Sequence, residues 1–246
     1  FLFLSKKYNE AIRSIQEIQK QNPSIIFLYR LLAYSYSETG NCSDGLKAID
    51  EFFLKADPKK VLASDYEYNG KLLSKCGKDS LAVEKLKLAI QQDTSKTELN
   101  GDLGKALVKT KKYPEAIESF NKKIRGGKGV DVNDYYSLGL AYYYNKQCGK
   151  ADTAFMQIIV LRPDIPTGYL YRAKANTCLD PDSKNGLAKP FYEDFLSKIK
   201  PEEVEKNKNG AIEAYDYLGY YFMLQKDYAK AKCMYLKLKE LDPNNA

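Results

Sequence analysis

The chain has 246 residues, with 44% apolar and 29% charged side chains, a balance that forms cores rather than staying disordered. It contains no histidine, which removes Ser/His and Cys/His nucleophile pairs, histidine zinc sites and imidazole acid–base chemistry. The 39 basic and 32 acidic side chains leave a net charge of +7, an excess that permits acidic partners without demanding nucleic acid, and no apolar run approaches the roughly 20 residues that span a bilayer.

In chain order, residues 1–25 read as the end of one helix followed by a second carrying Ala11, Ile15 and Ile18, stopped at Pro23. The opening Phe1-Leu2-Phe3-Leu4 is too short for a signal peptide. Residues 26–62 carry Tyr29, Ala33 and Tyr36 on a first helix and Gly45, Ile49 and Phe52 on a second, ended by Pro58. Residues 63–96 place Tyr66 and Gly70 before Ala82 and Leu86, and 97–131 place Leu103, Gly104 and Leu107 before Ala116 and Phe120. Residues 132–165 give Tyr135, Gly139, Ala151, Phe155 and Pro163. Residues 166–211 give Tyr169 and Ala173, a first helix ending near Leu179, a long Asp180–Gly186 turn, and a second helix from about Leu187 with Ala188, Tyr192 and Phe195 in phase. The Pro201–Gly210 stretch reads as either an extended link or an extra exposed helical turn. Residues 212–246 return to phase with Tyr215, Gly219, Ala231, Tyr235 and Pro243.

One frame runs through these segments. Small residues at 70, 104, 139 and 173 are 34, 35 and 34 residues apart; alanine follows the anchors at 70, 104, 139 and 219 by 12 residues, and a bulky apolar residue follows by 16. Fixed self-similarity of this length is the signature of a stacked repeat array. The pattern resembles the tetratricopeptide repeat (TPR), most fully in Tyr135–Pro163 and Tyr215–Pro243. The resemblance implies an all-α fold: a right-handed superhelical solenoid of stacked antiparallel helix pairs, forming a single domain over 1–246, with six repeats after a partial one. Solenoid ends need polar caps. The first and last segments show none, so the chain is expected to be a fragment of a longer protein or to associate end to end.

The resemblance also implies a non-catalytic scaffold that needs no cofactor or metal and binds a protein or peptide along its first helices. The alternative is a structural spacer or self-assembling arm of a larger envelope or secretion complex. Counting three before, one after and four after each anchor, the expected groove residues include Arg30, Tyr34, Lys71, Lys105, Tyr136, Leu140, Tyr143, Lys174 and Tyr220. Such a groove is mixed, with lysines in its middle and tyrosines toward its ends, suited to peptides that include acidic segments. Neither direct membrane insertion nor nucleic-acid binding is expected. No repeat sets a basic residue and asparagine together as a carboxylate clamp does. Gly126-Gly127-Lys128-Gly129 lacks the strand of a phosphate loop, and Asp180–Asn185 lacks the spacing and closing glutamate of a calcium loop.

Within this frame Cys42 and Cys148 each fall nine residues after an anchor, at the start of a second helix. Cys76 and Cys178 fall six and five after the next anchor, at the end of a first helix. Neighbouring antiparallel helices bring those ends together. Two inter-repeat disulfides, Cys42–Cys76 and Cys148–Cys178, are expected, with Cys233 free on a core-facing helix; the alternative is five reduced cysteines serving as small apolar residues. Disulfides imply an oxidising compartment. With a further similarity of 172–193 to repeats of exported bacterial TPR proteins, they point to a periplasmic or otherwise extracytoplasmic bacterial protein, the cytoplasm being the alternative.

Overall fold

The computed structural model describes residues 1–243, and among these every regular element is helical, thirteen α-helices and two short 3-10 turns. Two compact units divide the chain, one over Phe1–Val130 and one from Asp131 onward. The first holds α1 (Tyr8–Gln21), α2 (Ile26–Thr39), α3 (Cys42–Lys55), α4 (Ala63–Lys75), α5 (Asp79–Gln92), α6 (Leu99–Lys109) and α7 (Tyr113–Gly126). The second holds α8 (Val132–Tyr144), α9 (Cys148–Leu161), α10 (Pro166–Leu179), α11 (Lys189–Lys198), α12 (Val204–Leu224) and α13 (Tyr228–Leu241). Within each unit consecutive helices pack against one another as antiparallel neighbours, the arrangement of a TPR-type stack.

The helix starts have local causes. The Asn41 side chain accepts the Asp44 N–H at 3.2 Å to open α3, and Asp227 does the same for Lys230 at 3.2 Å to open α13. Asp131 and Asp134 cap α8 reciprocally, each side chain taking the other's backbone N–H. Pro166 stands first in α10, where its missing N–H costs nothing.

The anchor residues occupy equivalent contact points. A Cβ placed on Gly70 would meet Leu86 at 2.7 Å, on Gly104 Phe120 at 2.8 Å, on Gly139 Phe155 at 2.3 Å, and on Gly219 Tyr235 at 2.7 Å. In every case the neighbour is the residue 16 positions on, across the helix pair. The seam alanines Ala82, Ala116 and Ala151 are fully buried. Gly45 departs from alanine because Leu72 of α4 fills its place, 2.4 Å from where a Cβ would stand.

The turn inside each pair carries a second regularity. Seven residues after the anchor the backbone is left-handed, at Gly40, Gly77, Lys111, Lys146 and Lys226, with φ between 59° and 82°. The last four of these turns close alike: at Lys111 the amides of Lys111 and Lys112 bond the carbonyls of Val108 and Leu107 at 2.9 and 2.8 Å. Lys6, φ 58°, ends a single turn over Phe1–Leu4 in the same way. An L-residue at positive φ is strained by about 1–2 kcal/mol, part of which glycine returns as unfolded-chain entropy. Lys111→Gly, Lys146→Gly and Lys226→Gly are therefore each expected to stabilise by about 0.5–1 kcal/mol in thermal melts, although lysine-to-glycine changes normally do the opposite in helical proteins.

The α10–α11 pair breaks the rule. Asp180 has φ −129°, and the chain turns later, at Ser183 and Gly186 with φ 55° and 66°. The buried Asp180 carboxylate holds this longer turn by accepting the N–H groups of Asn185 at 3.0 Å and Leu187 at 3.4 Å. The Pro201–Gly210 stretch is helical: a 3-10 turn over Pro201–Glu203 and then the opening of the 21-residue α12. Cys233 is free and exposed on α13, a helix that buries only Ala231 and Leu238. Ile18 remains 43% exposed, since α1 packs chiefly on α2 and seats Ala11 and Ile15 there.

Candidate protein-binding surface

In the first unit the groove positions of α2 and α4 are joined by a buried carboxylate. Asp65 has no exposed surface, and its Oδ1 accepts from Arg30 Nε at 2.7 Å and the Tyr34 hydroxyl at 2.6 Å. Its Oδ2 accepts from Arg30 Nη2 at 2.8 Å and the Leu62 N–H at 2.7 Å. Arg30 also donates to the Lys60 carbonyl and lies over the Phe52 ring, 4.5 Å from its centroid. Tyr34 stacks on Tyr68 with ring centroids 3.9 Å apart. Burial, reinforced by the Asp65 carboxylate, pushes the Tyr34 hydroxyl far above the ordinary phenol range. Arg30 and Tyr34 thus spend their polar groups inside the unit.

Lys71 pairs with Glu67 at 2.6 Å, and Lys96 pairs with the other oxygen of that carboxylate. Burial raises the Glu67 pKa, but the two ammonium groups outweigh it and hold the carboxyl below its ordinary 4.5. A depressed carboxylate contributes stability above the unfolded value, and this is lost as pH falls through the folded one. Amide exchange in α4 and the 93–98 link is expected to quicken below about pH 4.5, and Glu67→Gln to remove that pH dependence. Lys105, by contrast, is exposed on α6.

In the second unit the first helices are linked edge to edge. The Tyr136 hydroxyl donates to that of Tyr171 at 2.9 Å, joining α8 to α10, and Lys174 pairs with Glu213, joining α10 to α12. The other Glu213 oxygen accepts the hydroxyl of the buried Tyr192 at 2.8 Å. Leu140 and Tyr143 are half-buried against the Phe155 cluster, and Tyr220 is exposed. Burial and the Tyr171 hydroxyl raise the Tyr136 pKa.

Asp65, Tyr68, Tyr171 and Glu213 escape a reading confined to three groove positions per helix, whereas Glu67 stands at one of them, three residues before Gly70. The signal for Asp65 is present at sequence level: it stands three residues after Leu62, where a carboxylate can reach back to cap α4. Glu213 has no such local signal, because its partners are 39 and 21 residues away.

The cysteines fall where neighbouring helices meet. Cys42 opens α3 and Cys76 caps α4, with Cα atoms 5.6 Å apart. Cys148 opens α9 and Cys178 lies near the end of α10, with Cα atoms 6.0 Å apart. Both separations lie in the range a disulfide spans.

Stacked helix pairs with glycine or alanine seams in fixed phase define a tetratricopeptide repeat array. No protein-family model matches the chain, and no curated protein does. Among solved structures, the C-terminal part of a TPR repeat-containing protein from Cytophaga hutchinsonii is 37% identical over 100% of this chain and 94% of that one, with a TM-score of 0.83. The chain belongs to the TPR repeat-containing proteins. PilF from Pseudomonas aeruginosa shares the fold at 18% identity, over 97% of this chain and 95% of that one, with a TM-score of 0.60. So does YrrB, a TPR protein with an unusual peptide-binding site, at 21% identity over 81% and 92% of the two chains and a TM-score of 0.60. Membership of this family makes the chain a protein-interaction scaffold in the general sense. No described helix is long and apolar enough to cross a membrane.

Proposed function

We propose that the chain is a non-catalytic scaffold that takes a segment of a partner protein across the faces of its first helices. The observation that carries this is the surface formed by α8, α10 and α12. Leu140 and Tyr220 stand there one residue after their anchors and Tyr143 four after its own, apolar enough to bury on binding and not consumed by the core. The hydroxyls most strongly perturbed, those of Tyr34 and Tyr192, are buried and bonded to carboxylates, which makes them reluctant acids and braces of the fold. A pull-down from the parent cells with the wild-type chain, set beside one carrying Leu140→Ala and Tyr143→Ala, tests the reading. Loss of a partner with the variant supports it. Equal recovery of every partner removes the face from consideration and favours the spacer role.

The working compartment is proposed to be extracytoplasmic, supported by the two cysteine pairs. Titration of unreduced, denatured protein should find one reactive thiol, Cys233; five would overturn the assignment. Closing loops of 34 and 30 residues constrains the unfolded chain by about 3–4 kcal/mol each. Cys42→Ser and Cys148→Ser should each show a loss of that order by denaturant unfolding, and the loss should vanish when wild type and variant are compared in excess reductant.

A further inference from the structure

The net charge is unevenly placed. Residues 1–130 hold 23 basic and 16 acidic side chains, so the whole excess of +7 lies there; residues 131–246 hold 16 of each. The second unit's first-helix face is also nearly silent electrostatically. Of its positions three before, one after and four after the anchors, Tyr136, Leu140 and Tyr143 come from α8, Leu170, Lys174 and Thr177 from α10, and Asp216, Tyr220 and Met223 from α12. Lys174, the only cation among them, is neutralised by Glu213, and Asp216 is exposed. Among these nine positions an acidic segment would meet no unpaired ammonium group and one carboxylate, and Lys184, which lies near Tyr220, is itself paired with Asp182 at 3.0 Å. The expected preference for acidic peptides therefore has no support in this unit.

What the face does offer is aromatic and thioether surface, with Tyr220 47% and Met223 48% exposed and Leu140 and Tyr143 half-buried. The hydroxyls of Tyr143 and Tyr220 make no hydrogen bond among the described residues; the Tyr143 ring rests on the Phe155 cluster, and the Tyr220 ring is 47% exposed. Unused phenols favour a ligand whose backbone carbonyls are unspent. A helix uses its carbonyls internally, whereas a polyproline-type strand leaves them all free, and its pyrrolidine rings lie flat on aromatic faces. Resting on the groove reading above, we propose that the occupant of the second unit's face is an extended, uncharged, proline-rich segment, held by Tyr143, Tyr220, Leu140 and Met223 and oriented by the two hydroxyls.

Selection of a displayed random-peptide library on the full chain tests this, followed by anisotropy with the fluorescein-labelled winning peptides. The selected pool should be enriched in proline and depleted in Asp, Glu, Lys and Arg. Binding should change less than about twofold between ~50 and ~500 mM salt, since no ion pair is screened. Tyr143→Ala with Tyr220→Ala should weaken it about tenfold or more, as loss of two aromatic anchors does. Tyr143→Phe with Tyr220→Phe keeps the rings and the fold, and should still cost a few-fold because the carbonyl partners are lost. Acidic or helix-forming winners that the alanine pair abolishes would overturn the ligand class while leaving the groove reading intact. Winners indifferent to both variants, or no enrichment at all, would overturn both the class and the use of this face.

Discussion

Asp65→Ala is expected to destabilise the first unit by about 3–5 kcal/mol, the usual cost of removing one partner from a buried charge pair. The substitution strands more than a cation. Arg30, whose side chain is 14% exposed, loses both contacts of a bidentate pair. The Tyr34 hydroxyl and the Leu62 N–H lose their acceptor as well. Each buried polar group left without a partner adds a desolvation penalty. Asp65→Asn keeps an oxygen for one or two of these donors and should cost less. Removing Arg30 together with Asp65 should cost less than the sum of the two single changes, because the pair acts as one. Repeat stacks transmit stability mainly to near neighbours, so the loss should appear in amide exchange of α2–α5 and leave α10–α13 unchanged. A loss below about 1 kcal/mol would show that the carboxylate is dispensable.

The second large effect is expected at the seam of α8 and α9. Phe155 has no exposed surface, and its ring edge lies where a Gly139 Cβ would stand, 2.3 Å away. Phe155→Ala should cost about 3–5 kcal/mol through lost burial and the cavity left behind. Gly139→Ala would help an open helix by up to about 1 kcal/mol, yet here it should destabilise by about 1–3 kcal/mol, because a rigid aromatic cannot yield. The two sites should couple: Gly139→Ala combined with Phe155→Leu is expected to recover part of the loss. Unfolding curves of the three variants decide it, and additive effects would mean that the ring and the glycine do not share one contact.

How far the chain could be read beforehand differs from residue to residue. Gly70, Gly104, Gly139 and Gly219 were legible because close helix approach leaves a residue-type mark, small against large at a fixed interval of 16. The left-handed turns were only half legible: Gly40 and Gly77 announce themselves, but Lys111, Lys146 and Lys226 take the same conformation without glycine's freedom. There the flanking helices over-determine the backbone. The phase of Arg30, Tyr34, Lys71 and Lys174 followed from the repeat, but not the fact that carboxylates of the next repeat engage each of them except Lys71, which Glu67 of its own helix holds. The exposure of Cys233 leaves no mark in the spacing, since only the packing of α13 shows that this helix buries just Ala231 and Leu238.

Repeat length, helix pairs, seam residues and family are all legible in the order of residues, since these rest on short-range spacing and on volume. Which charges on the first helices stay free emerges when the repeats pack. Asp65 and Glu213 meet their partners from one repeat to the next, and no local pattern records whether two side chains 35 or 39 residues apart will neutralise each other.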